Sequence, residues 1–366
     1  MGGAGVASSN PQVSPFINPA LMHHNVKDQG FSMVVPFVGL TAADPDDLVD
    51  RVDELQDSIE RLQERIDAAD VPGADALRPV VASQLQGIDG RALDTQFGAG
   101  LSFVFPAGDV TLGVSARTFV DARILPFIDP NDLTTVNNSN NSADFDNLQS
   151  DAVVAAAAVT EFGVSVATGV QILGRDVTIG VTPKFQSVET FNYAASVTNF
   201  DEDDAEDDFD NDEFRDRESS FNFDVGAAVD LNDNFTAGLA INNLISDSFD
   251  TVITSGRQFT YKVEARPTVG AAFRGSGFTL TGDLDLLATS RFEEVDDSQF
   301  LRFGAEYDLA GWAQLRAGAS FDLESTQEDL FSAGLGLSPF ETVRIDLVGQ
   351  YGDNAAGAGI QIALTF

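Results

Sequence analysis

The sequence predicts an all-β membrane protein, an antiparallel transmembrane β-barrel of about fourteen strands that carries an inserted helical hairpin. The C-terminal segment alternates Ile360, Ile362, Leu364 and Phe366 with small or polar residues, so it has one apolar face. The same period of two recurs from residue 95 onward, where short turns alternate with longer loops. A strand that has lipid on one face and a lumen on the other requires this pattern.

Composition excludes several classes of protein. The 366 residues include 58 acids and 20 basic residues, and the net charge of -38 argues against nucleic acid as a partner. The acidic balance suits cation-rich surroundings, such as a lipopolysaccharide layer bridged by divalent ions, and solubility in high salt is the alternative. Cysteine is absent, which excludes a disulfide framework and thiolate chemistry. No apolar run is long enough for a transmembrane helix, and no secretory signal is present, so we expect the processed form of a longer chain.

A helical hairpin is predicted as an insertion at residues 43–94. Its apolar seam has the spacing of a heptad repeat and consists of Leu48, Val52, Leu55, Ile59, Leu62 and Ile66. The run Asp44-Pro45-Asp46-Asp47 is typical of a helix start, Val71-Pro72-Gly73 should break the helix, and residues 75–86 should return as a second helix. The seam has two interpretations: it packs on its own return helix, or it docks a partner or a second copy of the chain.

The remaining strands follow from the period of two. The candidates are 31–40, 95–105, 110–124, 162–172, 177–195, 219–231, 235–244, 258–274, 278–289, 299–309, 312–323, 330–337, 343–351 and 357–366. The even count and the alternation of short turns with long loops place both termini on the periplasmic side. The Ala-rich segment 151–160 is assigned to a helix in an outer loop, because an extra strand would spoil the even count.

Ionisable residues of the later strands collect on one face. They are Asp283, Asp285, Arg302, Glu306, Arg316, Arg344 and Asp346. On a lipid-facing surface a basic residue costs about 2–4 kcal/mol at the bilayer midplane, so we expect these charges to face the lumen. Because both signs occur on adjacent strands, they can pair across strands. The lumen is then either a selective, charged pore wall or an interior that ion pairs fill and rigidify.

Other chemistry is sparse. The acidic outer loop 196–218 offers oxygen ligands for Ca²⁺ or is a solvated loop, and its candidate ligands are Asp201, Asp203, Asp204, Asp207, Asp208, Asp210 and Asp212. His23 and His24 are the only histidines, and we predict no metal site there. No phosphate-binding loop and no nucleophile elbow occurs, so we predict that the chain is not an enzyme and needs no cofactor.

The N-terminal segment and several internal motifs resemble a known family. Gly2 to Ser8, followed by the hatch motif Asn18, Pro19, Ala20 and Leu21, resembles the start of FadL-type outer-membrane transporters, and the aromatic C-terminal residue resembles the assembly signal of outer-membrane proteins. The match is closer to the related conjugal-transfer TraF-like proteins. That match is carried by Asp44–Leu48, residues 179–184 (IGVTPK), 241–245 (INNLI), 282–285 (GDLD) and 304–307 (GAEY).

The resemblance implies an N-terminal hatch, residues 1–29, inside a barrel of residues 30–366. It implies a bacterial outer-membrane location and passive passage of small, apolar molecules when the hatch moves. No basic cluster suited to a fatty-acid carboxylate is evident, which disfavours long-chain fatty acids. The alternative is a structural or interaction protein that displays its hairpin and acidic loops for self-assembly, surface contacts or conjugation support. Expected partners are outer-membrane lipid or lipopolysaccharide, an apolar small molecule, and a second copy or another protein at the hairpin.

Overall fold

The computed structural model describes residues 1–24, 30–196, 211–309, 311–340 and 342–366. The strands in these residues are β1 (Ser32–Ala43), β2 (Leu93–Ala107), β3 (Val110–Phe127), β4 (Asp151–Ile172), β5 (Arg175–Ser196), β6 (Arg215–Asp230), β7 (Phe235–Asn242), β8 (Asp247–Asp250), β9 (Thr260–Val263), β10 (Arg266–Arg274), β11 (Phe278–Asp285), β12 (Phe300–Leu309), β13 (Ala313–Asp322), β14 (Leu330–Phe340), β15 (Val343–Tyr351) and β16 (Ala355–Thr365). Strands β8 and β9 form a separate two-stranded sheet, and the other fourteen close one antiparallel barrel, which confirms the predicted architecture.

The first and last strands close the barrel. Ser32 in β1 lies opposite Thr365 in β16, and the two strands stay paired up to Ala43 and Ala355. Next to this seam the rings of Phe31 and Phe366 stack with their centroids 4.5 Å apart. The alternating C-terminal segment is therefore the strand that completes the cylinder and leaves no open sheet edge.

The outer surface of the barrel is apolar, and the inner surface is polar. Along β2, Leu101, Phe103 and Phe105 are exposed, whereas Ser102 and Val104 between them are buried. The same alternation gives exposed apolar side chains on the other strands, for example Phe162, Phe185, Phe221, Leu239, Leu280, Phe303, Leu315, Leu347 and Ile360. A continuous apolar band of this extent is typical of a lipid-facing surface. Among the described residues, no helix is long and apolar enough to cross a membrane.

The helices are α1 (Leu21–His24), α2 (Leu48–Asp67), α3 (Val71–Ile88) and α4 (Pro130–Asn138), with short 3₁₀ helices at Ser14–Phe16, Ser142–Asn147 and Asp212–Phe214. The hairpin of α2 and α3 is present as predicted, and Asp44 caps α2 by accepting hydrogen bonds from Leu48 N and Val49 N. The prediction that the return helix begins at residue 75 was wrong. Its cap is Asp70, which accepts from Gly73 N, and Pro72 fits in the first turn, where no N–H is needed.

The seam of the hairpin is buried inside this chain. Leu48, Leu55, Ile59 and Leu62 form one cluster with residues of α3 and with Val136 and Phe145 of the loop between β3 and β4. The other two seam residues, Val52 and Ile66, pack against the edge of that cluster. The hairpin is therefore an outer cap with its own apolar core.

The segment 151–160 is a strand, and its assignment to a helix was wrong. It forms the first half of the 22-residue strand β4, with Asp151 opposite Phe127 of β3 and Ser196 of β5. The count stays at fourteen because residues 162–172 continue the same strand. Alanine favours helices in isolation, but backbone pairing on both sides and burial of alternate side chains decide the outcome here.

The predicted strand 258–274 was also wrong in extent. It is divided between β9 and β10, and only β10 belongs to the barrel. Likewise β11 ends at Asp285 rather than at residue 289. The segments that are left outside the barrel sheet turn into the mouth of the barrel. There Phe249, Phe259, Tyr261 and Phe292 cover the inner face of β4. The apolar alternation of 258–263 therefore reflects packing inside the lumen rather than contact with lipid.

Candidate functional site

The N-terminal segment lies inside the barrel and contacts its wall on several sides. Gly5 N and Val6 N both donate hydrogen bonds to Asp283 Oδ2 of β11, at 2.7 and 2.9 Å. On the opposite side, Ser102 Oγ of β2 donates to Gln12 O. We call the described part of this segment, residues 1–24, the hatch; residues 25–29 of the predicted hatch lie outside the described residues. The contacts hold the hatch across the lumen.

The predicted hatch motif organises this segment. Asn18 Nδ2 donates to Val6 O at 2.7 Å and to Ala227 O of β6 at 3.2 Å, while its Oδ1 accepts from Ala20 N at 3.1 Å. One side chain thus joins two turns of the hatch to each other and to the wall. Leu21 is buried in a small cluster with Ala20 and Ala228. Pro19 and Ala20 lie directly on Gly180 of β5.

Glycines of the wall form a groove for the hatch backbone. A Cβ atom added at Gly238 would lie 2.3 Å from Val6 O, and one at Gly180 would lie 2.5 Å from Ala20 N. Neither approach is compatible with a side chain at these positions. A Cβ at Gly98 of β2, in contrast, would meet no atom within 4 Å. The small residues beside the hatch therefore serve a close backbone approach, whereas Gly98 lines open space.

Most of the charged residues that the sequence analysis assigned to the lumen form ion pairs with one another. Arg302 makes a two-pronged contact with Asp285, at 2.9 and 3.0 Å. Arg316 and Arg344 share the carboxylates of Glu306 and Asp346. Arg316 lies 2.7 Å from each carboxylate. Arg344 lies 3.0 Å from Asp346 and 3.3 Å from Glu306. Asp283 differs, since its partners are hatch amides rather than a basic side chain. Its role in holding the hatch has no signal in the sequence of β11 alone.

A second ion network, which the sequence analysis missed, lies below Phe16 of the hatch. Lys184 Nζ is 3.0 Å from Glu161 Oε1 and 2.9 Å from Asp224 Oδ1, and all three side chains are at least 95% buried. Arg117 pairs with the other oxygen of Glu161, and its guanidinium lies 5.8 Å from the centre of the Phe16 ring. All four sit on the inner faces of β3 to β6. The strand alternation that identified the charged residues of the later strands would also have identified these four residues.

The outer mouth of the barrel is closed by the segment that contains β8 and β9. Tyr261 Oη donates to Asp121 Oδ2 of β3 at 2.7 Å, and Arg291 Nη1 lies 3.2 Å from the same oxygen. Burial and the charge of Asp121 raise the pKa of the Tyr261 hydroxyl, and the Asp121 carboxylate raises the pKa of the Arg291 guanidinium. Tyr261 therefore stays protonated and Arg291 stays charged, and both anchor this outer plug.

A cavity of about 1050 Å³ lies between the hatch and the outer plug. The hatch contributes Gly5 and Phe16 to its lining, and the outer plug contributes Tyr261. Other lining groups are Phe37, Phe119, Lys262, Arg266, Arg274 and Arg291. A volume of this size is at the upper end of ordinary small-molecule sites. The wall is mixed, because apolar rings and basic groups line the same space as the acidic residues Asp121, Glu264, Glu306 and Asp346.

The remaining candidate residues are the aspartates of the acidic loop and the two histidines. Asp201, Asp203, Asp204, Asp207, Asp208 and Asp210 lie outside the described residues, and Asp212 begins a short 3₁₀ helix. Within the described residues, no group of three acids or histidines is arranged to hold a metal ion. His23 Nδ1 lies 3.0 Å from Thr111 Oγ1, and His24 Nε2 lies 3.0 Å from Asp230 Oδ1. The two histidines therefore contact different strands of the wall.

The closed fourteen-stranded barrel, with its N-terminal segment packed across the lumen, shares its fold with a solved FadL homologue. The chain belongs to the family described as F plasmid transfer operon, TraF, protein, whose model matches residues 15–285. No curated protein matches the chain in sequence.

Solved structures share the fold over the whole chain. The Ralstonia pickettii toluene transporter TbuX has a TM-score of 0.53 at 11% identity and covers 100% of this chain and 95% of its own. The Pseudomonas putida toluene transporter TodX has a TM-score of 0.53 at 12% identity, with the same coverage. A Pseudomonas aeruginosa FadL homologue has a TM-score of 0.52 at 12% identity and covers 99% of this chain and 95% of its own. At these identities the likeness establishes the fold alone.

Proposed function

We propose that this chain is an integral outer-membrane barrel through which small, apolar molecules pass passively, and that the hatch is the gate. The observation that carries the proposal is the cavity of about 1050 Å³ that the hatch borders on one side. TbuX and TodX are described as toluene transporters, which supports an apolar permeant. No cofactor and no covalent step is needed for such passage.

The bonding of the hatch suits a movable element. Polar contacts to Asp283, Ser102 and Ala227 hold it to the wall, and its apolar clusters are small. A hydrogen bond contributes only about 0.5–1.5 kcal/mol net, because water replaces it when it breaks. Elements with few buried apolar contacts open locally while the rest of a protein stays folded. The hatch can therefore leave its glycine groove without unfolding the barrel.

The surface supports a location in a bacterial outer membrane. The apolar band of the strands is suited to lipid, and the acidic outer loops are suited to divalent cations that bridge lipopolysaccharide. Ca²⁺ binding by the loop 196–218 belongs to this proposal and is separate from passage. We likewise propose that the chain has no enzymatic activity.

Uptake by intact cells tests passage directly. Cells that express the chain should accumulate labelled toluene faster than cells that carry an empty vector. The variant D283A, which removes the acceptor of two hatch amides, should accumulate it faster still. The control D233A removes an exposed carboxylate in the turn between β6 and β7 and should behave like the unmodified chain.

Uptake equal to that of the empty vector for both the unmodified chain and D283A would contradict passage. It would favour the alternative, a closed barrel that displays its hairpin and acidic loops. In that alternative the contact surface is the exposed, charged side of the hairpin, because its apolar seam already packs within the chain.

A further inference from the structure

Three basic side chains of the cavity wall, Lys262, Arg266 and Arg274, have no carboxylate partner among the described residues, and the first two contact adjacent residues of the chain. Lys262 Nζ donates to Ser290 Oγ at 3.3 Å, and Arg266 Nη2 donates to Thr289 Oγ1 at 3.4 Å. Across the residues that the structure describes, neither cation forms an ion pair. Because Thr289 and Ser290 are consecutive, the two cationic groups lie beside the same short stretch of chain. Both also line the cavity between the hatch and the outer plug.

The lack of a partner is unusual for this protein. Acids outnumber basic residues 58 to 20, so carboxylates are not scarce. Most other basic groups of the lumen are paired, namely Arg117, Lys184, Arg302, Arg316 and Arg344. Arg274 is an exception, and it instead donates to Thr236 Oγ1 and to Ala7 O of the hatch. The acids of this region are engaged elsewhere: Asp121 with Tyr261 and Arg291, Asp285 with Arg302, and Glu264 with Ser290 N at 2.9 Å.

We propose that Lys262 and Arg266 form a binding site for an oxyanion, the phosphate or carboxylate group of a solute that enters the cavity. An ammonium and a guanidinium both donate charge-assisted hydrogen bonds to such groups, and the planar guanidinium can bind two oxygens at once. The hydroxyls of Ser290 and Thr289 hold the two cations beside the cavity. An oxyanion would supply the anionic partner that Lys262 and Arg266 do not find among the carboxylates of the wall.

The net charge of -38 does not prevent an oxyanion from binding in the cavity. Charges that are separated by more than a Debye length of about 8 Å are largely screened at physiological ionic strength. An anion in the cavity therefore responds mainly to the groups around it, and the acids of the external loops contribute little. Of the acids that line the cavity, Asp121, Glu306 and Asp346 are paired with arginines, and Glu264 accepts from Ser290 N. The site is independent of the proposed passage of apolar molecules, because binding requires only that a small solute reaches the cavity.

Equilibrium dialysis of the purified full chain in detergent tests the site, with labelled inorganic phosphate as the probe at constant ionic strength. We expect saturable binding to the unmodified chain. The double variant K262Q/R266Q should bind phosphate about tenfold more weakly or less, since about 1.4 kcal/mol corresponds to a factor of ten. The control R51Q/R175Q removes two basic charges from exposed positions, one in the hairpin and one at the first residue of β5, and it should bind like the unmodified chain.

Unlabelled acetate distinguishes the two oxyanion groups. Displacement of phosphate by acetate means that the site takes a carboxylate as well, and no displacement means that it is selective for phosphate. Absence of phosphate binding, or binding that K262Q/R266Q leaves unchanged, would overturn the proposal. If the double variant does not fold, K262Q alone and the charge-preserving R266K are compared, and only K262Q should weaken binding strongly.

Discussion

Asp283 holds Gly5 through a hydrogen bond of 2.7 Å that joins the wall of the barrel to the hatch. The same oxygen accepts from Val6 N, so one carboxylate fixes two consecutive amides near the start of the described chain. A lumenal acid on a barrel strand usually pairs with a basic residue across the sheet, as Asp285 does with Arg302. Here the acid positions the hatch instead.

Replacement of Asp283 should loosen the hatch without unfolding the barrel. In D283A two amides lose their acceptor, and each buried group left without a partner costs about 1–3 kcal/mol. Hydrogen exchange at Gly5 and Val6 should therefore accelerate about tenfold or more, while exchange in the barrel strands stays unchanged. D233A is the matched control and should leave both sets of amides as they are. Equal protection of the hatch in D283A and in the unmodified chain would show that these hydrogen bonds do not hold it.

The second prediction concerns the glycine groove that receives the hatch. In G238A the new Cβ would lie 2.3 Å from Val6 O, so the hatch must shift or leave. Overpacking of this kind costs about 1–3 kcal/mol. We expect G238A to expose the hatch to limited proteolysis, whereas G98A should not, because a Cβ there meets no atom within 4 Å. Identical digestion of the two variants would contradict the placement of the hatch.

The buried network of Lys184 should stabilise the folded barrel. In K184M the carboxylates of Glu161 and Asp224 lose their shared partner in a buried site. Removal of one partner from a buried ion pair costs about 3–5 kcal/mol in the free energy of unfolding, which denaturant titration measures. The control R175Q changes an exposed residue and should stay within about 0.5 kcal/mol of the unmodified chain. A similar small effect for K184M would mean that water or protonation already compensates these charges.

Two substitutions in the hairpin distinguish a seam that packs within the chain from a seam that docks a second copy. Leu62 is fully buried in the hairpin core, while Val49 on the same helix is 48% exposed. L62A should lower the stability of the hairpin by about 2–5 kcal/mol, and V49A should have little effect. Helix unfolding monitored by circular dichroism gives the stability, and light scattering gives the oligomeric state, which should not change. Dissociation of an oligomer by L62A at a temperature where the hairpin stays folded would instead indicate that the seam contacts a second copy.

Much of the fold follows from local pattern. The period of two defined the barrel, and the heptad spacing of Leu55, Ile59 and Leu62 defined the hairpin, because both patterns report which face is buried. The segment 151–160 was assigned wrongly because short Ala-rich runs have no decisive period. Its strand conformation comes from pairing with β3 and β5, which local sequence does not contain.

The site was harder to predict than the fold for a physical reason. The pairing of Arg316 with Glu306 follows from adjacent strands in register, so alternation alone suggested it. The contact of Asp283 with Gly5, and the convergence of Lys262 and Arg266 on Thr289 and Ser290, join segments that are distant in the chain or lie outside the barrel sheet. The packing of the hatch across the lumen brings the first pair together, and the turn of the loops outside the barrel sheet into the lumen brings the second group together.

A reversible cross-link tests the gate most directly. Ser8 Oγ of the hatch lies 3.2 Å from Thr281 Oγ1 of β11, and the chain has no cysteine of its own, so S8C/T281C can form a single disulfide between hatch and wall. The measurement is single-channel conductance in a planar bilayer before and after addition of a reductant, with the single variant S8C as the control. We expect oxidised S8C/T281C to stay closed, and we expect reduction to restore the openings of the unmodified chain. Equal conductance in the oxidised and reduced states would contradict a lumen gated by the hatch.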